Sequence, residues 1–200
     1  MIAAAPRPVP RPDVALTLGG TEVDLRTRAL VAGVVPPPRF ARESEVLAAV
    51  AAVRDAGADL ADVSLAPRLV GAAAGQGGLP IAALARTPED AHASLAAGAA
   101  LVLVPPSAAT AVVPALAASH PAQVAVIADG LAAVPATIEV AGELGVAAGV
   151  DSTGWAPADS LAGEPLAIAS GCRILRTADV RRSRRIVEVV AALLEARRRG

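Results

Sequence analysis

The chain contains no lysine, no asparagine and no tyrosine, with a single cysteine (Cys172), phenylalanine (Phe40) and tryptophan (Trp155) and two histidines (His92, His120). Each shortage excludes something. One cysteine rules out an internal disulfide and any Cys-x-x-Cys metal site. His92 falls on the polar side of a helical stretch, 88–97, and His120 precedes Pro121 in a loop. Neither has a second ligand at metal spacing, so neither a metal nor a cofactor is expected. Ser64, Ser152 and Ser170 have no histidine nearby and form no triad. The glycine-rich "GAAAGQGG" (71–78) lacks the lysine and spacing of a phosphate cradle and reads as a flexible loop.

No apolar run reaches about 18 residues without a Pro-Pro break, which excludes a membrane span. The opening "MIAAAPRPVPRP" has no basic start, and prolines interrupt its apolar part, so it is not read as a signal peptide. Residues 1–13 are expected to be a disordered Pro/Arg-rich lead and 14–200 a single domain, soluble and cytoplasmic. Charge of either sign is not in excess: 18 arginines oppose 19 acidic residues, a net −1, which argues against a nucleic-acid partner. Nine of those arginines lie between Arg173 and Arg199, and Arg181, Arg182, Arg184 and Arg185 read as a solvated helix face.

What is present is a repeated phrase. "ALTLGGTEVDL" (15–25) reads as a hairpin around Gly19-Gly20. After it, "RALVAGVV" (28–35), "ADLADVSL" (58–65), "GLPIAALA" (78–85), "LAAGAALVLVP" (95–105), "AQVAVIAD" (122–129), "AGELGVAAGV" (141–150) and "IASGCRILRT" (168–177) each supply an apolar strand. Several are preceded by a helix end and a glycine. Helix–Gly–strand units imply parallel strands with right-handed crossovers, an α/β fold. The spacing predicts a helix over 44–56. It predicts a second that is capped by Asp179 and buries Ile186, Val189, Val190, Leu193 and Leu194.

At roughly 25 residues per βα unit, 200 residues would hold about eight. Yet the apolar runs 165–169 and 173–177 are only three residues apart, and parallel neighbours need a crossover of about a dozen. The first run therefore reads as a short helix started by Pro165 and stopped by Gly171. One βα unit is missing before the last strand.

The order "GGTEVDLRTRALVAGVV", "GADLADVS", "LPIA", "GVDSTGW" and "GCRILRTADV" resembles the dihydropteroate synthase family over nearly all of the chain after residue 14. The resemblance implies a TIM-like (βα) barrel with an N-terminal β-hairpin over its base, here incomplete with about seven strands. It also implies an activity in folate synthesis, joining a pterin pyrophosphate to p-aminobenzoate. A missing unit would leave unpaired strand edges and an apolar flank, to be covered by self-association or a partner protein through helix 180–199.

The family's motifs map unevenly. Its Asn-Val-Thr-Pro-Asp-Ser-Phe loop is the shorter "PPPRF", in which Phe40 matches and the asparagine is absent. Its second-strand Asp-x-Gly-Gly-Glu-Ser-Thr-Arg-Pro is "DVSLAPRLV", which keeps Asp62 and Arg68. Leu84 stands where a pterin-contacting aspartate belongs, and Leu103-Val104 replace an Asn-Asp pair. The strand-seven Ser-Arg-Lys loop falls in the missing unit. Asp151 matches the aspartate that grips the pterin ring, and Arg176 is kept from the Arg-x-His ending, whose histidine is lost.

By this resemblance Asp62 and Asp151 are the candidate pterin contacts, and Arg68 and Arg176 the candidate contacts for a phosphate-type anion. Inside an apolar strand Asp62 needs a partner, for which Arg68 and Arg176 are the candidates. Arg176 otherwise reads as paired to Asp179 or Asp151, Asp151 as capping its own turn, and Trp155 as pocket lining or packing. Removing one electrostatic donor commonly costs about 3–4 kcal/mol of barrier, and several are gone here. The sequence thus reads as a pterin-binding-type protein without synthase activity, working as a binding or partner subunit. The alternative is a synthase or related pterin transferase.

Overall fold

Gly19 and Gly20 turn the chain back on itself, both with positive φ (57° and 83°), the combination a two-residue type I′ hairpin requires. Strand β1 (Ala15–Leu18) thereby pairs antiparallel with β2 (Thr21–Asp24) in the register Ala15↔Asp24. The computed structural model describes residues 15–26, 28–35, 42–64, 67–76, 78–117 and 119–199. The expected disordered lead, 1–13, and Phe40 lie outside them.

Seven parallel strands follow: β3 (Leu30–Val34), β4 (Leu60–Asp62), β5 (Ile81–Leu84), β6 (Leu101–Val104), β7 (Val124–Ala128), β8 (Ala147–Asp151) and β9 (Ile174–Thr177). They close into a barrel in sequence order, β9 pairing with β3 in the register Leu30↔Ile174. This corrects the expected open edge. No eighth unit intervenes because helix α6 (Pro157–Ser170) is itself the crossover from β8 to its parallel neighbour β9.

The inward-facing residues explain how seven strands suffice. Leu30, Leu60, Leu101, Leu103, Ile127 and Ile174 alternate around the interior with Ala32, Ala82, Ala125, Ala147 and Gly149. Interior width falls with strand number, so a narrower ring needs small residues on part of its wall. Gly149 marks the limit: a Cβ there would lie 2.4 Å from Ile127 Cδ1 and 2.6 Å from the Ile174 carbonyl oxygen. Leu16, Leu18 and Leu25 join the same apolar cluster, so the hairpin stoppers the base of the barrel.

The helical layer comprises α1 (Glu43–Asp55), α2 (Pro67–Gln76), α3 (Pro88–Ala96), α4 (Pro106–Ala117), α5 (Val134–Glu143), α6 and α7 (Val180–Arg199). Three expectations change here. Residues 71–76 of the "GAAAGQGG" stretch belong to α2, because Val70 and Ala73 are buried with Val46 and Val50 of α1. That burial outweighs the roughly 1 kcal/mol a helical glycine costs. The helix expected from Pro165 starts eight residues earlier at Pro157, with Pro165 inside it, though Gly171 ends it as expected with φ +130°. On α7 the core side is Val180, Ser183, Ile186, Val187 and Val190, whereas Val189 and Leu193 are exposed. Asp179 does cap α7, its Oδ1 accepting from the Arg182 amide at 3.2 Å. Among the described residues no helix is long and apolar enough to cross a membrane.

Candidate functional site

Strand register brings three of the four candidate residues together. Asp151 stands opposite Arg176 on the neighbouring strand, and Arg176 stands opposite Ala32 on β3. Asp62 lies one strand further on, opposite Val34. With only alanine at the intervening position, the Arg176 side chain spans to Asp62. Its Nε donates to Asp62 Oδ2 at 2.6 Å and its Nη1 to Asp151 Oδ2 at 2.5 Å. All three residues sit at the carboxyl ends of their strands, the face on which barrels of this kind carry their chemistry. Arg68 is the second residue of α2, and its side chain lies outside the described set.

Each carboxylate has a second donor. The Ser64 hydroxyl reaches Asp62 Oδ1 at 2.7 Å; the Thr153 amide and hydroxyl reach Asp151 Oδ1 at 2.9 and 2.7 Å. Asp151 thus both grips the arginine and caps its own turn. Asp62 is fully buried and Arg176 nearly so, its side chain 12% exposed. Burial pushes the Asp62 carboxyl above its ordinary range, against the pull of Arg176 and Ser64. Burial also opposes the Arg176 charge, but the two carboxylates outweigh it and hold the guanidinium above its ordinary value. With both carboxylates ionised the cluster carries one net negative charge, on acceptors suited to N–H donors.

A second buried cluster lies directly behind the first, and sequence reasoning missed it. Glu164 on α6 is fully buried. Its Oε1 accepts from the Ser152 hydroxyl at 2.8 Å and the Ser183 hydroxyl at 3.1 Å, while Oε2 has no partner among the described residues. The Ser183 hydroxyl also lies 3.0 Å from Thr177 Oγ1, and the Ser152 amide donates to the Arg176 carbonyl at 2.8 Å. Desolvation raises the Glu164 carboxyl above its ordinary range, its two hydroxyl donors pulling it down. Burying the ionised form would cost several kcal/mol without a paired cation. The sequence signal was a glutamate within an otherwise apolar helix, "LAGEPLAIAS", but nothing local showed that its face turns inward.

Trp155 packs on that same helix. A Cβ at Gly163 would lie 2.4 Å from its Cζ3, so the ring lies against backbone. Cys172 is buried, and burial pushes its thiol up to about 12. His92 Nδ1 contacts the Pro88 carbonyl oxygen at 2.8 Å and His120 Nδ1 contacts Gln123 Oε1 at 2.9 Å. Among the described residues no group of three or more His, Cys, Asp or Glu is arranged to hold a metal.

The architecture has close counterparts among solved structures. A dihydropteroate synthase from Yersinia pestis, determined with a pterine-sulfa conjugate, matches with a TM-score of 0.67, 16% identity, and coverage of 92% of this chain and 99% of its own. One from Thermus thermophilus, with 4-aminobenzoate, matches at 0.64 and 22% identity over 90% of this chain and 99% of its own. One from Xanthomonas albilineans, with indole-2-carboxylic acid and 6-chloroguanine, matches at 0.62 and 20% identity over 92% of this chain and 98% of its own. The fold is that of the dihydropteroate synthases. No family model matches the chain and no curated protein sequence does. The inward-facing ends of β5 and β6 carry the apolar pair Leu84 and Leu103, opposite one another in register. Asp62, Asp151 and Arg176 are polar residues at the mouth of this barrel, joined by two ion pairs.

Proposed function

We propose that this chain is a pterin-binding-type protein without synthase activity. The observation that carries the reading is the cluster of Asp62 and Asp151 around one guanidinium at the barrel mouth. Two carboxylates with spare lone pairs suit the N–H-rich edge of a 2-amino-4-oxo heterocycle, a bidentate contact of the charge-assisted kind. Arg176 and Arg68 are the candidate anion contacts. Arg176 is already committed to two carboxylates, which favours the heterocycle over the anion. Against catalysis stands the loss of donors for a departing pyrophosphate: no lysine or asparagine exists anywhere in the chain, and such donors carry the electrostatic stabilisation.

Calorimetric titration with a reduced pterin and with pyrophosphate, separately and together, tests this. The expected result is saturable pterin binding that is lost in Asp151→Ala and Arg176→Ala, with no turnover when p-aminobenzoate and the pterin pyrophosphate are supplied. Turnover by the purified chain would favour the alternative, a working synthase or related transferase. Absence of pterin binding at millimolar ligand would overturn the reading.

A partner role is the second part of the proposal. The closed ring of β3 to β9 leaves no barrel edge for a partner to cover. Val189 and Leu193 on α7 and Leu161 and Leu166 on α6 are nonetheless each more than half exposed on adjacent helices. Self-association over this face is expected to appear as a concentration-dependent sedimentation coefficient that Leu193→Asp abolishes. A monodisperse monomer would remove it.

A further inference from the structure

We propose that Glu164 is the positioning residue of the candidate site: in its neutral form it locks the ends of β8 and β9 together, so that Asp151 and Arg176 keep their geometry. The observations form one chain of contacts. Glu164 Oε1 holds the Ser152 hydroxyl on one side and the Ser183 hydroxyl on the other. Ser152 immediately follows Asp151; its amide donates to the Arg176 carbonyl at 2.8 Å, and its hydroxyl lies 3.1 Å from the same oxygen. The Ser183 hydroxyl also meets Thr177, the residue after Arg176. One buried carboxyl oxygen therefore ties together the residues that follow both members of the ion pair. A side chain that only filled space would need none of these hydroxyls.

The neutral acid is the form that fits. Full burial is what favours it: the Ser152 and Ser183 hydroxyls donate to Oε1 in either state and pull toward the ionised one, but Oε2 has no partner among the described residues, and desolvation outweighs the two donors. The charged groups around it oppose one another: Arg182 of α7 favours the ionised form and Asp179, at the head of α7, disfavours it. The remaining neighbours, Ser152 from the β8 end, Ser183 of α7 and Thr177 of β9 through Ser183, are uncharged. Ionisation would place an unpaired charge in the α6–α7–β8 junction, beside the residue that follows Asp151. Water has to enter the junction to solvate that charge; its entry opens the lock, and a ligand held by Asp151 loses its oriented acceptor.

Trp155 makes this testable without a ligand. It is the only tryptophan, its amide donates to the Ser152 carbonyl at 3.1 Å, and its ring lies on Gly163, next to Glu164. The emission of wild type, Glu164→Gln and Ser183→Ala would be followed from pH 4 to 9, with amide hydrogen exchange at Ser152 read alongside. The expected result is a Trp155 transition and a fall in the Ser152 protection factor, its exchange taken relative to the intrinsic base-catalysed rate at each pH, as pH rises. Glu164→Gln, which keeps the shape and cannot ionise, would abolish both, and Ser183→Ala would move the transition. An unchanged transition in Glu164→Gln, or none in wild type, would overturn the proposal.

The ligand arm rests on the pterin-binding reading. There, pterin affinity should fall at least tenfold across the transition in wild type and stay flat in Glu164→Gln. A transition in emission with no pterin binding in any variant would sink the function reading while sustaining the lock. Binding with no pH dependence would sink the lock alone.

Discussion

Asp62 and Asp151, 89 positions apart in the chain and on strands that are not neighbours, hold one guanidinium between them at 2.6 and 2.5 Å. The barrel's closure makes this possible. Arg176 sits on the strand that pairs with both β8 and β3, so it reaches one carboxylate beside it and the other across an alanine.

Removing the arginine strands a buried carboxylate. Arg176→Met is expected to destabilise the fold by about 3–5 kcal/mol, read as a lowered urea midpoint at unchanged slope. The paired change Asp62→Leu with Arg176→Met should recover most of that loss, since no unpartnered charge is left at the Asp62 position. A double variant as unstable as the single one would show that the pair does more than neutralise itself.

Stability should fall as pH rises above the usual carboxyl range. Glu164 and Asp62 both have carboxyls raised by burial. The folded chain therefore retains protons that the unfolded chain has released, and unfolding in that window releases protons. Their stabilisation is complete below the unfolded-state values and is lost as pH climbs through the folded ones. Thermal unfolding across pH 4 to 8 should show this decline, made shallower by Glu164→Gln. An equal slope in that variant would exclude Glu164 as its source.

Two glycines should respond in opposite directions to the same change. Gly149→Ala drives a methyl into the Ile174 carbonyl, which belongs to backbone and cannot rotate away; a loss of about 1–3 kcal/mol is expected. At Gly142 in α5 a methyl meets nothing within 4 Å, so Gly142→Ala should stabilise by about 0.4–1 kcal/mol. Denaturant titrations of the two variants against wild type decide both.

Cys172 should resist thiol reagents until the chain unfolds. Its sulfur is buried and its thiol is pushed up to about 12, so almost no thiolate exists at pH 8. Labelling under native conditions is expected to be slower by orders of magnitude than in denaturant. Rapid native labelling would show that the α6–β9 junction opens readily.

Much of this was legible in the sequence for reasons of pattern. Apolar runs marked all seven barrel strands, several of them announced by a helix end and a glycine, and Gly19-Gly20 marked the hairpin with its turn. The Asp62 charge inside "ADLADVSL" demanded a partner, and Arg176 is that partner. Other features depended on what no local pattern records. Whether seven strands close or stay open is decided by the summed bulk of inward side chains contributed from across the barrel. Ala32, Ala82, Ala125, Ala147 and Gly149 read individually as ordinary small residues. Val189 and Leu193 fit the helical spacing as well as Val187 and Val190 do, and only the angle at which α7 meets the barrel separates the exposed pair from the buried one. Glu164 was missed for the same reason. A glutamate on a helix is ordinarily solvated, and the hydroxyls that accommodate it come from positions 12 residues earlier and 19 later.

The Leu30↔Ile174 pairing that closes the ring also sets a timetable for its assembly. Every other pairing in the ring joins consecutive strands, whereas this one joins the first strand to the last. During synthesis, β3 and β8 each present a bare row of backbone donors and acceptors until β9 has been made and inserted between them. Chains that stall or are cut before that point offer two templates to one another. The vulnerable interval for this protein is therefore the time it takes the ribosome to deliver β9.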